Sequence, residues 1–187
     1  MDEVSKEYLD MIKAVAKVID AGDPYMHGHC DKVMKYSLAI CRRLKLARSQ
    51  ISTIRNASLL HDIGKMGIDS SILRKAGALT GRDWKKVRLH PEIGAKIVGE
   101  GGLLKEEVPI IKYHHARYDG SGYPVNGRRD GDIPLGARII AVADAFDAMT
   151  SNRPYRKAMT RQEAINELRR CSGSQFDPDI VKAFLER

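Results

Sequence analysis

The feature that most constrains this chain is a His61–Asp62 dipeptide that follows directly on an apolar run. Neutral histidine and ionised aspartate both bind divalent metals, and a carboxylate can bridge two of them. Two adjacent ligands cannot complete a coordination shell, so the other ligands must come from distant parts of the chain. The candidates are His29, His90, His114, His115 and Asp144. A fold that uses them must bring widely separated segments to one point.

The periodic segments of the sequence all have helical spacing, with apolar residues three and four positions apart. Two capping boxes, Thr80 with Asp83 and Thr160 with Glu163, mark helix starts. No convincing alternating strand is found, so the sequence predicts an all-α fold. Helices are expected over 4–21, after Asp23–Pro24, over 48–62, 81–89, 92–98 and about 106–115, from Pro134, over 161–171 and after Asp177–Pro178.

The domain organisation predicted is an N-terminal helix over 1–22 followed by one domain over 23–187. With 187 residues, 43% of them hydrophobic, the chain suits one compact domain with a helical extension. The first helix begins like one cut from a longer protein, so we expect an upstream sensor or receiver domain that is absent here. The same helix could instead pack against this domain or against a second copy.

The composition limits the partners and the compartment. A net charge of +8 favours anionic partners such as nucleotides or phosphates. Nucleic acid is not expected, because no block of Lys and Arg is interleaved with aromatic residues. No apolar run is long enough for a transmembrane helix, and the N-terminus does not resemble a signal peptide. The 3 cysteines are odd in number and widely spaced, which fits a reducing, cytoplasmic location.

The seven candidate ligands exceed one tetrahedral shell and suit two metals. Imidazole with carboxylate favours iron, manganese, zinc or nickel over calcium or magnesium alone. Two metals about 3.5–4 Å apart are an established arrangement for cleaving phosphate esters. Asp144 lies in an apolar stretch, where a carboxylate is costly unless it is paired or bound to metal, and Asp147 could support it one turn later. A hydrogen-bonded core residue is the ordinary alternative for each histidine.

The order H…HD…H…HH…D resembles the HD superfamily of metal-dependent phosphohydrolases. HDIGK, HPEIGA, HHARYDGSGYP and ADAFDAMTSNRPYR are similar to its HD-GYP branch, with the Gly-Tyr-Pro at 122–124. The resemblance runs from about Asp23 to the C-terminus. It implies an HD-domain helical bundle with additional HD-GYP helices and a glycine-rich loop, here within 116–133. It also implies a bacterial phosphodiesterase that hydrolyses cyclic di-GMP to pGpG.

The resemblance implies two divalent transition metals that share Asp62, iron or manganese first and zinc or nickel as alternatives. One metal would be bound by His29, His61, Asp62 and Asp144, and the other by Asp62, His90, His114 and His115. A water or hydroxide between the metals would be the nucleophile. Lys65 is positioned like the family's lysine near the attacked phosphate, so Asp62 and Lys65 are the expected catalytic residues.

Four further residues are expected to contact the substrate by the same resemblance. Tyr123 would line the guanine or phosphate pocket. Arg153 and Arg156 match the basic residues that hold the second phosphate, a task that suits the planar guanidinium. Arg117 is a further candidate at the mouth of the site, although it could be an ordinary surface charge.

Two departures from the family pattern affect the prediction. Ala116 stands where the family usually has glutamate after the paired histidines, so we expect altered support around the metals and intact ligands. Tyr25 stands where some members have a glutamate that binds a third metal, which favours a two-metal centre. Whether the product pGpG is carried on to GMP stays open.

Two alternative functions remain at this point. The chain could be a cyclic-dinucleotide receptor with little turnover, although degenerate family members usually lose ligands and this sequence has all seven. It could also be an HD hydrolase of another substrate, such as 3′,3′-cGAMP or a mononucleotide. The Gly-Tyr-Pro loop argues against mononucleotides and does not separate the two cyclic dinucleotides.

Overall fold

The computed structural model of the chain describes residues 3–22, 28–75, 77–124, 128–152 and 157–186. Within these ranges lie 3-10 helices at Ile63–Gly67 and Asp130–Asp132 and ten α-helices. The α-helices are α1 Glu3–Gly22, α2 His29–Arg43, α3 Arg48–Leu60, α4 Ser70–Leu73, α5 Gly81–Val87, α6 His90–Glu100, α7 Glu107–Tyr113, α8 Leu135–Thr150, α9 Arg161–Arg170 and α10 Pro178–Leu185. The described residues contain no strand, only an isolated bridge between Ser172 and Phe176. The all-α prediction is confirmed.

The predicted helix starts and ends can be compared with the structure. Thr80 and Thr160 each accept a hydrogen bond from the backbone N–H three residues later, so both capping boxes are present. The helix expected to reach residue 62 ends at Leu60, and the one expected to reach residue 115 ends at Tyr113. The histidines that follow therefore lie just past a last helical turn. The start signal Asp23–Pro24 and Tyr25 lie outside the described residues.

The core is built around α8, which packs against α2, α3, α7, α9 and α10. Ile139, Ile140, Val142 and Ala143 on this helix are fully buried. A helix that is apolar around most of its circumference is typical of one surrounded by other helices. Each such isoleucine or valine contributes about 1.5–3 kcal/mol through burial. The central position of α8 carries Asp144 and Asp147 to the middle of the molecule.

The N-terminal helix packs on the rest of the chain. Leu9, Ile12 and Ala16 of α1 are buried in the same hydrophobic core, whereas Met11 and Val18 are exposed. Its contacts are with α2, α3 and the 3-10 helix that follows α3. A division of the chain at residue 22 stays a prediction. No helix among the described residues has the length and apolar character needed to cross a bilayer.

A close approach of backbone to backbone joins the His61–Asp62 segment to α6. A Cβ atom on Gly64 would lie 1.9 Å from the carbonyl oxygen of His90 and 2.4 Å from the backbone nitrogen of Gly94. Any residue larger than glycine at position 64 would force these segments apart. Gly64 therefore allows Asp62 and His90 to lie side by side.

Candidate metal centre

The seven predicted ligands converge between α2, α3, α6, α7 and α8. Their ring nitrogens and carboxylate oxygens form two groups, each with all its ligand atoms within 4.8 Å of one another. The first cluster contains His29, His61 and Asp62, and the second cluster contains His90, His114 and His115. Asp144 joins the first cluster, because its Oδ1 lies 3.3 Å from Nε2 of His29. We call these seven residues the candidate metal centre.

Asp62 lies between the two clusters and presents one oxygen to each. Its Oδ2 lies 3.4 Å from Nε2 of His61 and 3.8 Å from Nε2 of His29. Its Oδ1 lies 3.2 Å from Nε2 of His90. This is the arrangement in which a carboxylate can bridge two ions.

Three of the imidazole rings are oriented in the same way. In each, Nδ1 donates a hydrogen bond to the carbonyl oxygen three residues earlier in the chain. The pairs are His61 with Ser58 at 2.8 Å, His90 with Val87 at 2.7 Å and His114 with Ile111 at 2.7 Å. Because a carbonyl oxygen can only accept, Nδ1 carries a hydrogen, and a ring with a single N–H then has its lone pair on Nε2. Each ring therefore offers Nε2 as a ligand atom.

The Nε2 atoms of this centre fit a metal ion better than an ordinary hydrogen-bonded core. Nε2 of His61 is buried and has no hydrogen-bond partner. Nε2 of His90 and Nε2 of His114 lie 3.3 Å apart, although both atoms carry lone pairs in this tautomer. Two acceptors at that distance need a proton or a cation between them. The residues present thus fit divalent cations bound through imidazole nitrogen and carboxylate oxygen.

His29 is supported by a second carboxylate that is not itself a predicted ligand. Its Nδ1 lies 2.7 Å from Oδ2 of Asp147, which is buried, and Ser151 donates to the other oxygen of Asp147 at 3.3 Å. Burial alone would lower the pKa of His29, but its hydrogen bonds with Asp144 and Asp147 raise it to about 10. A carboxylate behind a ligating imidazole is the usual support in metal sites.

The other titratable groups are in the states that metals bind. Burial lowers the pKa of His61 and His114, and that of His115 to about 3, so these rings are neutral at pH 7. Burial alone would raise the pKa of Asp62, yet the charge of Lys65 holds it well below the ordinary value. The pKa of Asp144 is also lowered, because its contact with His29 outweighs burial. Neutral imidazoles and ionised carboxylates coordinate divalent ions.

Lys65 lies at the edge of the centre. Its Nζ is 2.6 Å from Oδ2 of Asp62, and 20% of its side chain is exposed. Burial alone would lower the pKa of Lys65, but the neighbouring carboxylate of Asp62 raises it, so the side chain is a cation. The structure therefore places a positive charge beside the carboxylate that faces both clusters.

Two cavities meet at the candidate metal centre. The first cavity, about 530 Å³, is lined by five of the seven ligands, by Lys65, by residues between 72 and 87 and by Tyr123. The second cavity, about 430 Å³, is lined by residues that include Met149, Met159, Glu167 and Gln175. His115, Asp144 and Ala148 line both cavities. Both volumes fall within the range of small-molecule sites.

The glycine-rich loop holds Tyr123 against the second cluster. A Cβ atom on Gly122 would lie 2.5 Å from the carbonyl oxygen of His115, so only glycine fits there. The N–H of Tyr123 donates to the same oxygen at 3.2 Å, and the ring centroids of Tyr123 and His115 lie 4.8 Å apart. Burial raises the pKa of Tyr123, which is therefore a neutral phenol at pH 7.

Of the three arginines predicted to contact the substrate, only Arg117 is among the described residues. Arg117 donates to Ser121 Oγ at 2.8 Å, to Asp119 Oδ2 at 2.9 Å and to Gln175 Oε1 at 3.1 Å. It is not among the described residues that line either cavity. Its role as a substrate contact stays a prediction. Arg153 and Arg156 lie outside the described residues.

Sequence reasoning missed the outer wall of the first cavity. The residues that line this wall are Ile72, Leu73, Lys75, Leu79, Trp84 and Val87. The available signal was in α5, whose sequence GRDWKKV contains the only tryptophan of the chain and Val87 three positions later, although none of its residues is buried. Such a helix cannot be explained by core packing.

Comparison with known proteins places this fold and centre in a family. A family model described as "HD domain" matches residues 13–180. The chain belongs to the HD domain family. The resemblance drawn from the HDIGK, HPEIGA and Gly-Tyr-Pro motifs is thus confirmed, and the family's dependence on metals agrees with the clusters described above.

Individual relatives extend this result. A protein named "Cyclic di-GMP phosphodiesterase" from Thermotoga maritima is 36% identical over 99% of this chain and 52% of its own length. A "3'3'-cGAMP-specific phosphodiesterase 2" from Vibrio cholerae is 36% identical over 98% of this chain and 35% of its own length. The solved structure of Bd1817, titled a HDG"Y"P protein from Bdellovibrio bacteriovorus, has the same fold. It is 20% identical, with a TM-score of 0.69 over 83% of this chain and 50% of that one. The chain thus spans about half or less of the length of these proteins.

Proposed function

We propose that this chain is a binuclear metal-dependent phosphodiesterase that hydrolyses cyclic di-GMP to pGpG. One observation carries the binuclear part of the proposal. Asp62 presents Oδ2 to His61 and Oδ1 to His90, and these histidines belong to different clusters. A carboxylate shared in this way is how two cations are held at the short spacing that phosphate ester cleavage uses.

The substrate class is supported by the relatives and by the shape of the site. Relatives at 36% identity are named as cyclic di-GMP and cGAMP phosphodiesterases. A cyclic dinucleotide has one nucleoside on each side of the phosphate that is cleaved. The first and second cavities share His115 and Asp144 in their walls, so a phosphate bound there would have cavity space beside it for the nucleosides. The net charge of +8 favours a doubly anionic substrate.

The residues of the chain divide the chemistry between them. Two divalent cations, iron or manganese as we propose, would supply a water of lowered pKa and withdraw charge from the phosphate. Lys65, a cation next to Asp62, is placed to stabilise negative charge that develops on the phosphate oxygens. Tyr123, a neutral phenol at the wall of the first cavity, is placed to donate a hydrogen bond to the substrate.

A second candidate substrate is 3′,3′-cGAMP. The Vibrio cholerae relative that is named for it is as similar to this chain, at 36% identity, as the Thermotoga maritima relative that is named for cyclic di-GMP. The position of the two cavities suits either dinucleotide. The upstream sensor or receiver domain, a dimer through α1 and the cytoplasmic location stay predictions.

The proposal is tested on the 187-residue chain loaded with manganese or, without oxygen, with ferrous iron. Metal analysis should give about two ions per chain. Incubation with cyclic di-GMP should give pGpG on anion-exchange chromatography, and incubation with 3′,3′-cGAMP measures the second candidate. Asp62→Ala should abolish product formation. The matched control is Asp31→Asn, an exposed carboxylate on α2 that should leave activity unchanged.

The outcomes separate the alternatives. Product from 3′,3′-cGAMP with none from cyclic di-GMP would replace the first candidate by the second. Tight binding of either dinucleotide by metal-loaded protein, with no product, would make the chain a receptor. Metal content near one ion per chain, with full activity, would contradict the bridging role of Asp62.

A further inference from the structure

The helix α5 contributes nothing to the hydrophobic core. None of its residues is buried, although it contains the only tryptophan of the chain. Its position is fixed by polar contacts at its start, where Thr80 and Asp83 form the capping box. Nζ of Lys75 also lies 2.6 Å from Oδ2 of Asp83, which joins the preceding segment to the helix. Because α5 does not pack in the core, core packing does not explain why it carries the large apolar side chain of Trp84.

Trp84 faces the first cavity. It lines that cavity together with five of the seven ligands, and 46% of the residue is exposed. Beside it, Ile72, Leu73, Leu79 and Val87 form an apolar wall. Lys65 and Lys75 line the same cavity, so it contains two cationic side chains as well as the apolar wall.

An aromatic side chain beside cationic groups is a combination that proteins use to bind nucleotides. Sites that bind nucleotides without reading their sequence combine cationic groups for the phosphates with aromatic faces on which bases stack. An indole ring offers the largest such face among the side chains. The same cavity holds the candidate metal centre, so a base on Trp84 and a phosphate at the centre would belong to one ligand.

We propose that Trp84 is the stacking surface for one nucleobase of the substrate. The inference rests on the proposed function, since it takes the substrate to be a nucleotide diester cleaved at the metal centre. Every base has a flat face, so Trp84 provides affinity for base-bearing diesters and does not discriminate guanine from adenine. Its effect is on substrate binding and leaves the chemistry at the phosphate unchanged.

The first test uses tryptophan fluorescence excited at the red edge of the aromatic absorption band, where the 7 tyrosines do not absorb, so the signal comes from Trp84, the 1 tryptophan of the chain. Metal-loaded protein is titrated with GMP, which contains a base and a phosphate but no diester bond. Ribose 5-phosphate at equal concentrations is the base-free control. Saturable quenching by GMP with no change by ribose 5-phosphate is expected. No change with GMP, or equal changes with both compounds, would overturn the proposal.

The second test compares Trp84→Ala and Trp84→Phe. For cyclic di-GMP, Trp84→Ala should raise KM about tenfold with little change in kcat, and Trp84→Phe should restore most of the affinity. The rate at saturating cyclic di-GMP, which reports the chemistry at the phosphate and not the affinity for the base, should be the same in all variants. Leu89→Ala is the matched control, because Leu89 is 49% exposed and is not among the described residues that line the first cavity.

Failure of the inference differs from failure of the proposed function. If the unmodified chain cleaves cyclic di-GMP and Trp84→Ala has the same KM, the stacking role is wrong and the phosphodiesterase stands. If no protein cleaves the dinucleotide, the proposed function is wrong, and the titration with GMP still decides whether a base stacks on Trp84.

Discussion

Oδ2 of Asp147 lies 2.7 Å from Nδ1 of His29, on the opposite side of the ring from the nitrogen that faces Asp144. The contact joins the central helix α8 to the first residue of α2 across the core. It holds the ring so that Nε2 is directed at the first cluster. An aspartate outside the ligand set therefore controls how a ligand is presented.

We expect Asp147→Asn to weaken metal binding about tenfold, because the negative charge that supports His29 is lost while the size of the side chain is kept. The measurement is competition for zinc or manganese against a chromophoric chelator. Asp31→Asn on the exposed face of α2 is the control and should bind metal as the unmodified chain does. Equal affinities in all three proteins would show that Asp147 has no role at the centre.

We expect Gly64→Ala to lower the free energy of unfolding by about 2 kcal/mol or more and to impair metal binding. The added Cβ would lie 1.9 Å from the carbonyl oxygen of His90, so α6 would have to move away from Asp62. Urea unfolding and metal analysis measure the two effects. Gly131→Ala is the control, since a Cβ there meets no atom within 4 Å. Unchanged stability and metal content in Gly64→Ala would contradict the close approach.

Arg117 can be tested for its two roles, as a substrate contact or as a residue that holds the loop. Its guanidinium binds Asp119, Ser121 and Gln175 at once, and a lysine could not replace this planar arrangement. We therefore expect Arg117→Lys and Arg117→Ala to raise KM for the dinucleotide alike, about fivefold, near 1 kcal/mol. The measurement is the steady-state KM of both variants and of the unmodified chain for the dinucleotide. If the lysine variant keeps the original KM, Arg117 acts as a charge on the substrate.

A stability prediction concerns Glu107, a buried carboxyl on α7 that accepts a hydrogen bond from Asn56 at 3.0 Å. Burial raises its pKa, and the opposing effects of Asn56 and Lys13 do not cancel this. The folded protein thus binds the proton more tightly than the unfolded chain does. The stabilisation is complete below the ordinary pKa of about 4.3 and is lost as the pH rises through the raised pKa.

Glu107→Gln is therefore expected to unfold about 2 °C higher than the unmodified chain at pH 7.5, because the amide is neutral and can still accept from Asn56. The difference should shrink towards pH 4. Thermal unfolding of metal-free protein at the two pH values gives the comparison. Glu7→Gln, at an exposed position on α1 that does not affect the pKa of Glu107, should show no difference. A lower unfolding temperature for Glu107→Gln at pH 7.5 would mean that the charge itself stabilises the fold.

The sequence predicted which residues converge partly from local signs of burial and partly from the resemblance to the HD superfamily, which implied the ligand set as a whole. Asp144 lies in an apolar stretch, and His61 follows one. The structure buries His61 and brings Asp144 to His29. Helix starts were predictable from side chains that bind their own backbone, as at Thr80. Helix ends were not, because His61 and His114 continue the apolar periodicity although the helices stop just before them.

Other parts of the site depend on contacts that no local pattern contains. Gln175 is far from Arg117 in the sequence, and its hydrogen bond to that side chain depends on how the C-terminal turn meets the glycine-rich loop. Trp84 looks like any exposed aromatic until α5 is seen to face the metal centre. Residues on cavity walls are positioned by tertiary packing, whereas buried polar residues already stand out within apolar runs.

The hydrogen bonds from His61, His90 and His114 to carbonyls three residues earlier have a consequence for assembly. Each ring takes its direction from a hydrogen bond within its own turn of backbone, so the direction of the three Nε2 ligand atoms depends on local contacts and not on distant helices. The tertiary structure then sets the distances between the turns that carry these three histidines. A change in how the helices dock should therefore change the spacing of the ligands and with it the preferred cation. The orientation of each imidazole should stay the same.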